Sequence, residues 1–441
     1  MKKAQPSLIL LACAFAFGIG ALRTGGDPTP LSPVATGIDR SNMSTEWTLS
    51  PPAEPRVYPF TGSYNGPGVF EARRNAIFDG VARLNVGWFR DGFGADTVKD
   101  AQLFADTVAQ IHARGMKMLA VVGPTGSDFN PKDRIAGNPS INGCQWGTAP
   151  LGKIDLAKFS HRIRTHFDAL RQAGLGVDAF EIGNELDLYC NDADMPMTSE
   201  FAKHHWQWFL SAGQVREFDA GYAPFLKTFV GLIREYFPQA KIITFGMSNP
   251  TGNSAALIAG LARFTDDAGQ TFDYTTLVDG YGTHLYPNTS TTQRMVRDMS
   301  RELLEQAAEL PDSADKPLWI TEWNPSDSAF WSSHKWYFQY DRAGHLGGDL
   351  NLAAAPYPAM DRADAIRTFQ SDVVDRLRSQ ESPVDIGYVF YYAYDSVGKS
   401  DMCEQTTFNI KRGISGLCYS GVIDPVTGDL LPDVSAAIRN E

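Results

Sequence analysis

Beyond residue 55 the chain alternates between two hydrophobic patterns. Short, almost continuously apolar runs are the mark of strands covered on both faces. They occur at Val57–Thr61, Val86–Arg90, Met116–Val122, Ala179–Asn184, Lys241–Phe245, Leu277–His284, Pro317–Glu322 and Ile386–Tyr394. Between them, apolar residues recur at helical spacing over Ala101–Arg114, Leu156–Ala173, Ala223–Phe237, Ser254–Phe264, Thr291–Leu310 and Arg362–Ser379, with a short last helix at Asp433–Asn440. Eight strands alternating with helices predict an α/β fold, a closed parallel (β/α)8 TIM barrel with long loops on its C-terminal face. The alternative is an open sheet with a second domain. A dinucleotide-binding sheet would need a glycine-rich turn after an early strand, and Gly92-Phe93-Gly94 lacks the third glycine and the acid that follows it.

The first 22 residues carry a different pattern. Lys2 and Lys3 precede an apolar run, Leu8 to Leu22, with small residues Gly18, Gly20 and Ala21 near its end. This predicts a signal peptide over 1–22 and export to the periplasm or beyond, in a bacterial host. Leu10-Leu11-Ala12-Cys13 leaves a lipidated or membrane-anchored form as the alternative. Residues 23–55 are rich in Pro, Thr and Ser and read as a linker or arm, which leaves 56–441 for the barrel. No later segment is apolar enough to span a bilayer. Export also suits the cysteines: outside the signal there are Cys144, Cys190, Cys403 and Cys418, which allow three disulfide pairings. Free thiols are the other reading, and the spacing does not suggest zinc.

Composition narrows the partner. The formal charge is −12 and the pI near 5.2, whereas a nucleic-acid partner calls for a basic face.

The chemistry concentrates at strand tips. Phe180-Glu181-Ile182-Gly183-Asn184-Glu185 and Leu318-Trp319-Ile320-Thr321-Glu322-Trp323 are apolar runs that each end at a glutamate. The C-terminal tips of barrel strands are where such enzymes place their chemistry, and two facing carboxyl groups are the apparatus for cleaving a glycosidic bond. Glu185 is the candidate general acid and Glu322 the candidate nucleophile. An ionised nucleophile needs donors, and Arg90, His284 and Tyr286 sit at the ends of two other strands. Each residue alone also has a structural reading, as a surface ion pair or a satisfied core imidazole.

Trp88-Phe89-Arg90-Asp91, Glu181-Ile182-Gly183-Asn184-Glu185, His284-Leu285-Tyr286 and Ile320-Thr321-Glu322 resemble the barrel motifs of clan A glycoside hydrolases. They lie in the expected order on strands two, four, six and seven. Within the clan the chain is most similar to the family 39 and family 79 types, with Gly-Asn-Glu-x-Asp on strand four as in the latter. The resemblance implies retaining hydrolysis by double displacement, with Glu185 as acid/base and Glu322 as nucleophile. Asn184 would then bind the sugar 2-hydroxyl, while Arg90 and Tyr286 orient the nucleophile. Two departures stand out. Strand eight ends in Val389-Phe390-Tyr391-Tyr392-Ala393-Tyr394, without the clan's tryptophan, and too little chain follows it for an accessory β-sandwich.

Stacking partners for a sugar ring are sought among Trp323, Tyr392, Trp146 and Trp336, with Trp206, Trp208, Phe330, Trp331 and Tyr337 on the same loops. Long loops after strands three, four and seven favour a groove and an endo-acting enzyme on a polysaccharide. An exo-acting β-glycosidase or β-glucuronidase-like enzyme and a non-catalytic carbohydrate-binding barrel are the alternatives. Asp192 and Asp194 read as solvated loop charge, and neither a metal nor a cofactor is expected.

Overall fold

In a strand, side chains two apart share a face, so each barrel strand must divide its residues between the interior and the helices outside. The computed structural model follows that division; it describes residues 33–39, 57–58, 62–63, 69–92, 97–136, 147–189, 191–195, 210–248, 253–266, 268–286, 292–325, 362–380, 383–392, 394, 422 and 429–440. The barrel strands are β1 (Ala35–Asp39), β2 (Trp88–Gly92), β3 (Lys117–Val122), β4 (Ala179–Asn184), β5 (Lys241–Gly246), β6 (Tyr281–Leu285), β7 (Leu318–Trp323) and β8 (Ile386–Tyr392). All pair in parallel, in the order β6-β7-β8-β1-β2-β3-β4-β5. Parallel bridges Ile243–Gly280 and Met247–Thr283 close β5 onto β6. This is a (β/α)8 barrel.

The helices are α1 (Val69–Arg83), α2 (Val98–Ala113), α3 (Leu156–Gln172), α4 (Ala212–Tyr236), α5 (Asn253–Leu261), α6 (Thr292–Glu309), α7 (Arg362–Thr368) and α8 (Pro432–Arg439). A π-helical segment, Phe369–Asp375, continues α7 into Arg376–Ser379. Local chemistry sets their starts. The Thr97 hydroxyl accepts from Asp100 N ahead of α2, Asp155 accepts from Ala157 N and Lys158 N ahead of α3, and Ser211 with Gln214 forms a capping box ahead of α4. Gly115 and Gly174, both at positive φ, make the turns into β3 and β4 that a side chain would strain.

The first strand departs from the expectation. The barrel takes Ala35–Asp39, from the stretch read as a linker, while Val57–Tyr58 pairs with Gly62–Ser63 in a small antiparallel hairpin. β1 is fixed by its neighbours: Ala35 to Asp39 lie against Tyr388 to Tyr392, and Gly37 to Asp39 against Trp88 to Arg90. Gly37 is needed there because a Cβ would run into the ring of Phe390. The signal region and the four cysteines outside it fall beyond the described residues, and no described helix is long and apolar enough to cross a membrane.

Two apolar layers hold the fold. Outside the sheet, Phe159, Phe167, Phe180, Phe225, Phe229 and Phe237 pack between α3, α4 and β4 in a mix of edge-on, tilted and stacked contacts, all buried. Each contributes about 2 kcal/mol of burial. Inside the barrel, Trp88, Leu119, Ala179, Ile243, Trp319 and Phe390 form the plug, with Trp319 stacked on Tyr388.

One buried group opposes folding above mildly acidic pH. Asp219 on α4 is 2% exposed, its Oδ1 has no hydrogen-bond partner, and it packs where Gly260 of α5 leaves room. Burial pushes its carboxyl from 3.8 up to about 7. The folded chain therefore keeps this proton where the unfolded chain loses it, so stability declines as pH rises from about 4 to about 7 and then levels off. Asp219→Asn is expected to gain on the order of 2–4 kcal/mol above that window and almost nothing below it, read by urea unfolding at both ends. Equal gains at both pH values would contradict this account.

Candidate active site

Two positions beyond the apolar plug, the same strand faces turn polar. Gly37 gives way to Asp39, Trp88 to Arg90, Ala179 to Glu181, Trp319 to Thr321 and Phe390 to Tyr392. Asp39, Arg90, Glu181, Thr321 and His284 are all wholly buried. A buried charge must be paired, and Arg90 is the hub of the pairing. Its Nε donates to Glu181 Oε2 at 2.6 Å, and its Nη1 to Asp39 Oδ2 at 2.9 Å and Glu322 Oε1 at 2.7 Å. Its Nη2 donates to Asn184 Oδ1 at 2.7 Å. The planar fork meets four acceptors at once, which a lysine could not do.

Glu322 also accepts from the Tyr286 hydroxyl, at 2.5 Å on Oε2. Its inward aim comes from an irregular β7. The pairing of β7 slips against β6 between Thr283 and His284, and against β8 between Ile320 and Trp323. Strict alternation after Thr321 would turn Glu322 outward; the slip turns it into the barrel mouth. Trp323 is thereby sent the other way. It is 2% exposed and stacks on Phe369 of the α7 continuation, ring centroids 4.1 Å apart. The expected role of Trp323 in sugar binding is corrected accordingly: it belongs to the sheet–helix layer.

Glu185 sits one residue beyond β4 in the left-handed region, φ +48°, following Gly183 at φ +99°. Its backbone N–H is tied to Gly246 O at 2.9 Å, and its carbonyl accepts from Asn191 Nδ2 at 3.1 Å. Asp187, two residues on, accepts from Ser248 N and from the Ser254 hydroxyl, anchoring the turn to the β5–α5 loop. A non-glycine residue held in this conformation costs roughly 1–3 kcal/mol, sustained by these ties.

His284 stands between the acids. Its Nδ1 lies 3.0 Å from Glu185 Oε1 and 3.6 Å from Glu322 Oε2, and its Nε2 is 3.8 Å from Glu181 Oε1, an ion-pair distance beyond hydrogen-bond range. Burial disfavours the imidazolium, but the charges of Glu322, Glu181 and Glu185 outweigh it and push the ring up to about 10. Glu181 is treated oppositely: burial works against its charge, yet Arg90 and His284 hold its carboxyl below the usual range. Burial, helped by Glu322 and Glu181 against the pull of Arg90, raises Asp39 to about 7. Gly246 makes the meeting of these groups feasible, since a Cβ there would collide with both His284 Nε2 and Glu181 Oε1.

One oxygen of Glu185, one of Glu322 and His284 Nδ1 all lie within 4.8 Å of one another. Among the described residues this is the group that could hold a metal ion.

Six of the sequence-predicted residues meet here: Arg90, Asn184, Glu185, His284, Tyr286 and Glu322. Tyr392 joins them, its ring edge-on to Tyr286 at 6.1 Å. Trp146 and Trp336 lie outside the described residues, as do the other loop aromatics named with them. Sequence reasoning missed Asp39, Glu181 and Thr321. An acid four residues before Glu185, inside an apolar run, was the available signal for Glu181. For Asp39 it was one more short apolar run ending in an acid.

No protein-family model matches the chain, and no curated protein matches it by sequence. Solved structures do. GH5_18 from Bifidobacterium longum subsp. longum, in complex with Manb1-4GlcNAc, is 11% identical, with 92% of this chain and 77% of that chain covered and a TM-score of 0.51. A GH5_18 from Bifidobacterium longum subsp. infantis is 11% identical, with 92% and 78% covered and a TM-score of 0.50. Against an exo-beta-1,4-mannosidase from Opitutaceae bacterium strain TAV5, 13% identical with a TM-score of 0.49, 92% of this chain is covered, and it spans 59% of that chain. At such identities the first two likenesses bear on the fold, and they do not single out family 39 or family 79.

Proposed function

We propose that this protein is a retaining glycoside hydrolase that cleaves β-glycosidic bonds, with Glu322 as nucleophile and Glu185 as acid/base. The observation that carries the reading is the approach of one Glu185 oxygen to one Glu322 oxygen within 4.8 Å. Retaining enzymes hold their two carboxyl groups about 5–5.5 Å apart, whereas inverting enzymes leave roughly 6.5–9.5 Å for a water between them.

Each residue then has a task. Arg90 and Tyr286 each direct one donor at Glu322, through Nη1 and the phenol, which keeps it anionic and aimed. Glu322 attacks the anomeric carbon as Glu185 gives its proton to the departing oxygen; a glycosyl ester forms on Glu322. Glu185, now anionic, takes a proton from water, which displaces the ester and restores both groups. Asn184 Oδ1 is engaged by Arg90, so its amide nitrogen is the donor it can direct to the sugar. Among the described residues, Tyr392 at the end of β8 offers an aromatic ring beside the sugar.

The substrate is a carbohydrate, and the long loops of the sequence favour a polysaccharide cut internally. On the N-terminal pattern we place the enzyme outside the cytoplasm. A panel of purified polysaccharides and aryl glycosides, followed by proton NMR of the first-formed anomer and product sizing, tests the reading. Retention gives the β-anomer first; an α-anomer released first would overturn the mechanism. Products of intermediate length point to internal cleavage, and release of a single small sugar to the exo-acting alternative.

A further inference from the structure

Glu181 is not placed to touch substrate, yet it stands behind both catalytic carboxylates. Its Oε2 takes the Nε of Arg90, whose Nη1 holds Glu322. Its Oε1 takes the Thr321 hydroxyl at 2.8 Å and faces the far nitrogen of His284, whose near nitrogen holds Glu185. The groups facing His284 come from four strands: Glu181 and Glu185 from β4, Glu322 from β7, and, one step further, Arg90 from β2 and Asp39 from β1. Among the described residues, Tyr222 of α4 is a further titratable group near Glu181, and its hydroxyl donates to Ile182 O.

This inference rests on the reaction proposed above, in which one negative charge changes hands. Before attack it sits on Glu322 and Glu185 carries a proton. In the glycosyl ester Glu322 is neutral and Glu185 is anionic. Of the three carboxylates around His284, Glu181 alone keeps its charge throughout. His284 Nδ1 lies within 3.0 Å of one exchanging oxygen and 3.6 Å of the other.

We propose that Glu181 is a positioning residue that holds His284 as a permanent imidazolium, whose Nδ1–H passes its hydrogen bond between Glu322 and Glu185 as the charge moves. Nothing is transferred from His284; the proton of each step travels between Glu185 and the departing or entering oxygen. The fixed cation serves whichever carboxylate is ionised. A neutral ring would serve at most one of them, with a tautomer that could be wrong for the next step. An imidazolium caught between the fixed charge of Glu181 and the one moving charge costs little reorganisation during the reaction.

The test is nitrogen-15 NMR of histidine-labelled full-length protein, with the His284 signals identified by their loss in His284→Gln. In the wild type both ring nitrogens are expected to stay protonated through pH 8, with the transition near the value of about 10 rather than 6.5. In Glu181→Gln the transition should fall by at least about two pH units. With an aryl β-glycoside that the wild type hydrolyses, kcat should fall roughly 10²-fold with KM little changed, and Glu181→Asp should restore much of both. A purely structural Glu181 would lower the amount of folded protein without moving the His284 transition. A wild-type His284 that titrates near 6.5, or a transition unmoved in Glu181→Gln, overturns the proposal. The wild-type spectrum can overturn it even where Glu181→Gln does not fold, and Glu181→Asp then supplies the comparison of transitions. That spectrum can also do so in the absence of any hydrolysed substrate, a failure that would instead count against the glycosidase reading.

Discussion

Replacing Glu322 by glycine is expected to lower kcat/KM on a responsive aryl β-glycoside by on the order of 10⁴–10⁶, with folding intact. The loss is large because the glycosyl ester has no other oxygen on which to form; Arg90 and Tyr286 remain, but they now face a gap. Azide is small enough to enter that gap. It attacks the anomeric carbon from the side Glu322 would have used and yields the α-glycosyl azide. Glu185→Ala is expected to fail differently. With a leaving group that needs no proton, ester formation proceeds and hydrolysis of the ester stalls, so azide captures it from the opposite face as the β-azide. Opposite anomers from the two variants would tie each glutamate to its step. Wild-type rates in either variant would remove the catalytic assignment.

Arg90→Met carries the largest expected stability loss, about 3–5 kcal/mol by urea unfolding. The methionine fills much of the volume, so the cost is electrostatic. Asp39, Glu181 and Glu322 would share a buried site without their common counter-charge. The loss should depend on pH with a definite sign. Freed of Arg90, the carboxyls bind protons more tightly in the folded chain than in the unfolded one, so the variant weakens further as pH rises from about 5 to about 8. The wild type already shows the tendency at Asp39, raised to about 7 even beside the guanidinium. Arg90→Lys should recover only part of the loss, because an ammonium cannot reach four acceptors in one plane. A variant as stable at about pH 8 as at about pH 5 would mean that the three acids find other partners.

Much of the fold was legible because it is local. A strand buried on both faces and a helix with one apolar stripe leave different periods in the chain, and those periods placed seven of the eight barrel strands. The eighth failed for a physical reason. Ala35–Asp39 is short, holds a glycine and a threonine, and is made a strand by Tyr388–Tyr392 and Trp88–Arg90 on either side. Val57–Tyr58 has the better local pattern and ends in a hairpin.

The site divides along the same line. That Glu185 and Glu322 end apolar runs, and that Arg90, His284 and Tyr286 end others, can be read from residues near each in the chain. Tertiary structure alone decided how they meet. Arg90 finds partners 51, 91 and 232 positions away, and no local pattern encodes a pairing across such distances. It decided Trp323 as well, since a slipped register, invisible in the period of β7, carries Glu322 inward and the indole outward. The sequence by itself determined that apolar strand runs end in polar and acidic side chains; the register of the folded sheet decided which of these reach the barrel mouth. Closure of the sheet determined which charges are buried together, and so which of them Glu181 and Arg90 must hold, because burial makes an unpaired charge too costly to keep.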